Sequence, residues 1–174
     1  MKKSLFHPVP GGGFVELTRK AVLFFEPDNA LTDSPGPLAL ESVRGRPVLY
    51  WMARALTKNG VTHLFVSAPP RYEAEIRACL PPGLSALVSE RHDALMEFLD
   101  TPDPVAVLPR AALPFARAGA GFAYAAAGST LREAWAVRLT NAVQDASLLS
   151  GWVPLYGRDT LRELQPVFQP EAPS

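Results

Sequence analysis

The sequence predicts an α/β protein with a Rossmann-like, doubly wound and mainly parallel sheet. Four short apolar runs are typical of strands buried on both faces, and segments with helical periodicity lie between them. Prolines and glycines mark most of the boundaries. Strands that alternate with helices of this length imply right-handed crossovers, so neighbouring strands should run parallel.

The first apolar run, Lys20–Glu26, is predicted to be a buried strand that ends at Pro27. The segment 27–37 contains three prolines, a glycine and four polar turn formers, so it should form a loop. Residues 1–19 include three consecutive glycines and are predicted to be a flexible N-terminal extension.

The segment Pro47–Asn59 is predicted to be a helix, because Val48, Trp51, Met52, Ala55 and Leu56 recur at helical spacing. Gly60 suits the position after its last turn. The other predicted elements are strands at Val61–Ser67, Leu84–Val88 and Val105–Leu108, and helices at Pro70–Leu80, Arg91–Leu99 and Thr130–Leu149.

We therefore expect a single domain at 20–165 and a tail at 166–174. The stretch Ala118–Ser129 is rich in small residues and predicts no regular element.

Composition excludes several classes of function. Lys plus Arg and Asp plus Glu number 17 each, so no net positive charge attracts nucleic acid or an anionic membrane. No apolar stretch resembles a signal peptide or a membrane span. The single cysteine, Cys79, allows no internal disulfide and is interpreted as a small core residue. We expect a cytoplasmic protein without nucleic-acid or membrane partners.

Ligands of an open parallel sheet bind beyond the carboxyl ends of its strands, so we expect a site in the loops after Glu26, Ser67, Val88 and Leu108, of which the first matters most. A phosphate-binding loop needs glycines and a basic residue, but 27–38 contains no basic residue. Instead Glu26, Asp28 and Asp33 make this loop acidic, which repels a triphosphate unless a divalent cation intervenes. The same carboxylates also fit solvated turn residues.

The histidines predict no metal centre, because His7, His63 and His92 lack the spacing of metal ligands. No nucleophile elbow, cysteine pair or Walker loop is present in the sequence. Residue chemistry alone therefore predicts no enzyme.

The order of elements, with Gly45-Arg46-Pro47 before the first long helix, resembles the nucleotidyltransferase domain of sugar-nucleotide pyrophosphorylases. The closest likeness is to the uridyltransferase half of bifunctional N-acetylglucosamine-1-phosphate enzymes, over residues 20 to about 110. Such domains place a loop of the form L-A-A-G-x-G-T-R-M and a P-K pair between the first strand and a G-K-P or G-R-P. The resemblance implies a fold of the nucleotide-diphospho-sugar transferase type.

The motifs of that family are changed here at each point where they contact phosphate. In the implied register the two loop glycines become Pro27 and Asn29, the loop arginine becomes Leu31, and the lysine of the P-K pair becomes Leu38. Proline has no amide hydrogen to donate to a phosphate. The two leucines remove both cations that would offset charge on the leaving pyrophosphate.

Two further motifs of the family are also altered. The base-contacting stretch Q-x-E-Q-x-G-T-x-H-A is met only by Ser89-Glu90-Arg91-His92-Asp93-Ala94. The magnesium-binding aspartate expected after the fourth strand is met by Pro109-Arg110-Ala111-Ala112, which contains no acid. The chain is also shorter than these domains after Leu113, where the family adds strands that hold the sugar.

The sequence thus predicts a nucleotidyltransferase-like pseudoenzyme that acts as a binding or partner module, without cofactor and without catalytic residues. Its partner would be itself or an intact homologous enzyme. The crevice candidates are Glu26, Asp28, Asn29 and Arg110. The alternative is an active or weakly active metal-dependent nucleotidyltransferase, whose rebuilt site holds Mg²⁺ on Glu26, Asp28 and Asp33. A flavodoxin-like or other α/β regulator would share the scaffold alone.

Overall fold

A computed structural model of the chain describes residues 19–25, 36–115, 124–129, 131–133 and 152–169. Its strands are β1 (Lys20–Phe24), β2 (Ser42–Val43), β3 (Arg46–Pro47), β4 (His63–Ser67), β5 (Ser85–Ser89), β6 (Pro104–Leu108), β7 (Ala112–Pro114), β8 (Tyr124–Ala127) and β9 (Trp152–Pro154). Its helices are α1 (Val48–Lys58), α2 (Glu73–Ala78), α3 (His92–Phe98) and α4 (Arg158–Leu164).

Five strands form the central sheet in the order β5-β4-β1-β6-β8. The first four are parallel: Phe24 of β1 lies beside Ser67 of β4, and Leu23 lies beside Leu108 of β6. The fifth, β8, runs antiparallel to β6. When these four strands are numbered by their order along the chain, their order across the sheet is 3-2-1-4. The predicted α/β class with a Rossmann-like, mainly parallel sheet is confirmed.

Helices cover both faces of the sheet, because each central strand is apolar on both sides. On β1, Ala21 and Leu23 belong to a core cluster that includes residues of α1 and α2. Val22 points to the opposite cluster, which includes Leu95 of α3. All three β1 side chains are fully buried, as expected for a central parallel strand.

Helix α1 confirms the predicted Pro47–Asn59 segment to within a residue at each end. Met52 and Leu56 are fully buried, and the indole Nε1 of Trp51 donates a hydrogen bond to the carbonyl of Val43 at 2.9 Å. After the helix, Gly60 has φ of 94°, a left-handed conformation that glycine adopts without strain.

The predicted helix Pro70–Leu80 is instead two pieces, a single 3₁₀ turn at Pro70–Tyr72 followed by α2. The amide of Tyr72 donates to the carbonyl of Pro69, three residues back, which tightens this first turn. The other predicted strands and helices up to Leu108 are confirmed with boundary shifts of one or two residues.

Several short elements are absent from the sequence prediction. A β2–β3 hairpin turns at Arg44 and Gly45, both with positive φ. Strand β8 lies in the small-residue stretch Ala118–Ser129, where no strand is predicted. The strands β7 and β9 form a second small antiparallel sheet, and α4 follows it.

The segment predicted as a tail, 166–174, contributes a core residue. Phe168 is fully buried and its ring lies 5.5 Å from that of Phe115. The packed domain therefore extends beyond 165. Residues 1–18 of the predicted extension, and all but three of the predicted helix Thr130–Leu149, lie outside the described residues.

Candidate functional site

The strand order creates one switch point, between β1 and β6. The strands added after β1 lie on one side of it, whereas β6 lies on the other. Open α/β sheets bind ligands beyond the carboxyl ends of strands at such a point. Here those ends are Phe24 and Leu108. The loops that follow these two residues are therefore the candidate site.

The loop after β1 begins with a buried residue. Phe25 is 8% exposed, and its amide donates to the carbonyl of Ser67 at 3.0 Å, which continues the ladder between β1 and β4. The predicted site residues Glu26, Asp28 and Asn29 come next and lie outside the described residues, as does Asp33.

The loop after β6 places a half-buried arginine at the switch point. The guanidinium carbon of Arg110 lies 4.7 Å from the ring centroid of Tyr156, within the range of a cation–π interaction. The pairing of β7 with β9 brings the two together, because the amide of Leu155 donates to the carbonyl of Ala111 at 2.9 Å. Tyr156 is 70% exposed, so the pair lies at the protein surface.

The residues beside Arg110 supply no carboxylate. Ala111 and Ala112 are fully buried, and Pro109 ends the strand. The stretch 109–112, where the family resemblance implies a magnesium-binding aspartate, therefore contains a cation, Arg110, whose guanidinium carbon lies over the ring of Tyr156.

Leu38, which the resemblance would align with the lysine of the P-K pair, belongs to the hydrophobic core. It lies in a 3₁₀ turn at Leu38–Leu40, is 8% exposed, and joins the same buried cluster as Leu49 and Met52. The side chain at this position therefore contributes to core packing. A charged group placed there would lose its hydration.

An exposed ion pair joins the loop after β5 to the first turn of α3. Two guanidinium nitrogens of Arg91, Nη2 and Nε, lie 2.7 and 3.1 Å from the two carboxylate oxygens of Asp93. The hydrogen bond from Arg91 lowers the pKa of Asp93 and raises that of the guanidinium. Asp93 also accepts the amide of Ala94, so this carboxylate is engaged at the start of α3. His92, beside it, is exposed.

Among the described residues, no three His, Cys, Asp or Glu side chains come together as a metal site. Nδ1 of His63 lies 2.9 Å from the hydroxyl of Thr62. Cys79 is buried and its thiol donates to the carbonyl of Glu75, which fits the core role predicted for it. Burial, together with the charge of Glu75, raises the pKa of this thiol.

An open depression lies beside the β2–β3 turn, lined by Arg44, Gly45, Gln165 and Pro166. Its arginine donates to the carbonyls of Phe168 and Pro166 at 3.0 and 3.5 Å. These contacts tie the C-terminal segment to the hairpin. None of the lining residues belongs to the loops after β1 or β6, so we do not place the site there.

The predicted site is thus described at one residue, Arg110. Tyr156, its contact, is absent from the sequence prediction, because it lies 46 residues further along and follows a strand, β9, that is itself unpredicted. The sequence feature that could have indicated Tyr156 is its position directly after the short apolar run at 152–155.

Comparison with protein-family models gives no match, and comparison with curated proteins gives none either. Within the described residues, no helix combines the length and the apolar character needed to cross a bilayer.

Proposed function

We propose that the chain is a nucleotidyltransferase-like domain that has lost nucleotidyl transfer and acts by binding a ligand or a partner chain. The strand order supports the scaffold, because 3-2-1-4 is the order at the switch point of dinucleotide-binding sheets. The order alone fits many activities, so the function must be argued from the residues at the switch point.

The observation that carries the proposal is the position of Arg110. A transferase of the resembled family needs a carboxylate at the end of β6 to hold Mg²⁺ beside the triphosphate. The resemblance matches that position to the stretch Pro109-Arg110-Ala111-Ala112, whose one charged residue is Arg110, with its guanidinium carbon 4.7 Å from the ring centroid of Tyr156. A cation here repels a metal ion and leaves the leaving pyrophosphate without metal stabilisation.

Leu38 supports the same conclusion independently. Its side chain is buried among core residues, and the resemblance aligns it with the family's lysine, so this position would contribute packing in place of a cation. The two changes remove a cation from one side of the site and a metal ligand from the other. Without the lysine and without a bound metal ion, the charge that develops on the leaving pyrophosphate would lose two of the groups that stabilise it.

The test is an assay of pyrophosphate release by the full chain with UTP, N-acetylglucosamine 1-phosphate and Mg²⁺. An active uridyltransferase in the same buffer is the positive control. We expect no release above the protein-free blank, and none from Arg110→Asp, which returns only the carboxylate. Turnover by the unmodified chain would overturn the proposal. If that turnover needed Mg²⁺ and fell in Asp28→Asn and Asp33→Asn, the alternative of a rebuilt metal site would replace it.

A further inference from the structure

Strand β5 forms one end of the central sheet. It pairs with β4 alone among the strands that the structure describes. Its sequence, Ser85-Ala86-Leu87-Val88-Ser89, contains no charged residue and no proline. Natural edge strands usually carry such residues, or a bulge, to prevent pairing with another chain. This edge has neither a charge nor a proline to block a partner strand.

The hydrogen bonds to β4 show which backbone groups point outward. The amide of Ser85 donates to the carbonyl of Thr62 at 2.9 Å, and the carbonyl of Ser89 accepts from Ala68 at 3.3 Å. Because alternate residues of a strand bond to the same neighbour, the odd-numbered residues of β5 bond inward. The amides and carbonyls of Ala86 and Val88 therefore point toward the open edge.

The side chains of β5 divide in the same alternating way. Val88 is 8% exposed and packs in the core, whereas Leu87, on the opposite face, is 46% exposed. Leu87 lies beside Phe65 of β4, whose ring Phe98 of α3 covers at 5.5 Å between centroids. Leu87 lies on β5, one strand nearer the edge of the sheet than Phe65, and its side chain remains about half exposed. No strand among the described residues covers this edge, and a leucine exposed on such an edge favours association.

We propose that two copies of the chain form a dimer by antiparallel pairing of β5 with β5, about a two-fold axis that passes between the two Leu87 residues. In this register Ser85 lies opposite Ser89 of the second copy, and Ala86 lies opposite Val88 of the second copy. The Ala86–Val88 pairs are those whose backbone groups point outward, so each pair exchanges two hydrogen bonds. The two Leu87 residues fall between them, at a non-hydrogen-bonded position where side chains are closest.

The strand fits a second copy of itself because its pattern reads alike in both directions. A two-fold interface requires a self-complementary surface, and serine, small apolar, leucine, small apolar, serine provides one. A register shifted by two residues would place each Leu87 opposite a serine. Within residues 84–90 of each copy the pairing brings no like charges together, since Glu90, the one charged residue there, would lie opposite Leu84 of the second copy.

In this dimer the partner for the proposed binding role is a second copy of the chain. The dimer itself is inferred from the register of β5 and does not depend on the residues at the switch point. The two are tested separately. Pyrophosphate release would overturn the proposed function and leave the dimer standing, whereas a monomeric chain would overturn the dimer and restore no catalysis.

The first test places charges on the two-fold axis. In sedimentation velocity the unmodified chain should be a dimer. Leu87→Lys and Leu87→Glu should each lower the dimer association constant by at least about tenfold, because like charges meet at the axis. An equimolar mixture of the two variants should recover the dimer, since opposite charges then meet. Ser42→Lys is the matched control: it adds the same charge at an exposed position outside β5, so this variant should still dimerise.

The second test uses oxidation in a Cys79→Ala background. Leu87→Cys should form an intermolecular disulfide, because opposed residues at a non-hydrogen-bonded position have Cα atoms about 4.5 Å apart. Ser85→Cys should not, since the two copies of residue 85 lie about 14 Å apart along the strands. A monomer at every concentration would overturn the proposal. So would a Leu87→Lys variant that dimerises as well as the unmodified chain, or equal cross-linking of the two cysteine variants.

Discussion

Phe168 packs edge-on against Trp51, with ring centroids 5.7 Å apart and ring planes at 73°. This contact joins the C-terminal segment to the face of α1 that covers the sheet. Two guanidinium nitrogens of Arg44 donate to the carbonyls of Phe168 and Pro166, which holds the segment at the β2–β3 turn. Residues near the end of the chain are therefore part of the hydrophobic core.

Phe168→Ala should lower the free energy of unfolding by about 3–5 kcal/mol, because it removes a fully buried aromatic ring and leaves a cavity. Gln169→Ala, at the exposed neighbouring position, should change it by less than about 0.5 kcal/mol. Urea denaturation followed by tryptophan fluorescence measures both. Equal effects would mean that the ring does not pack as the structure has it.

Leu56→Ala should cost about 2–5 kcal/mol, because Leu56 is fully buried on the side of α1 that faces the sheet. Lys58→Ala, two residues further on the exposed side of the same helix, should be nearly silent. The comparison uses the same denaturation experiment. A large loss in Lys58→Ala, or none in Leu56→Ala, would show that the helix phase is wrong.

Leu38→Lys should destabilise the fold by at least about 2 kcal/mol, since it replaces a core leucine with an ammonium group that loses its water. Burial lowers the pKa of the introduced lysine, so the unfolded chain binds more protons and stability should rise as pH increases toward about 10. Ser42→Lys, at an exposed position, should show neither effect. A Leu38→Lys variant as stable as the unmodified chain at neutral pH would contradict the core position of Leu38.

Cys79 should react slowly with a thiol reagent at about pH 8, because burial and the charge of Glu75 raise the pKa of its thiol. A raised pKa favours the protonated thiol in the folded state. Its contribution to stability is therefore complete below the unfolded pKa of about 8.5 and is lost as pH rises through the folded value. Reaction in the folded protein as fast as in denaturant would contradict this.

The sequence is sufficient to predict the elements whose signal is local. Strands β1, β4 and β6 are continuous apolar runs, and α1 combines a helical stripe with Gly60 at its end. The sequence does not predict strand β8, because three of its four residues are alanines, which have little intrinsic preference for a strand. Its conformation comes from pairing with β6, a long-range contact.

The candidate site is predictable only in part, for the same reason. Strand alternation predicts the carboxyl ends of β1 and β6, but the switch point beside Arg110 follows only from the observed strand order. Its contact with Tyr156 depends on the pairing of β7 with β9, which joins segments 40 residues apart. Hydrophobic periodicity carries no information on such a pair.

The proposed loss of phosphate binding at the switch point is tested most directly by melting the unmodified chain with UTP, in the presence and absence of Mg²⁺. A ligand at 100 times its dissociation constant adds about 2.7 kcal/mol, which raises the melting temperature of a domain of this size by about 5–10 °C. With Leu38 in the core and Arg110 in place of a metal ligand, UTP should shift the melting temperature by less than about 1 °C. A UTP-specific rise of several degrees would contradict the account.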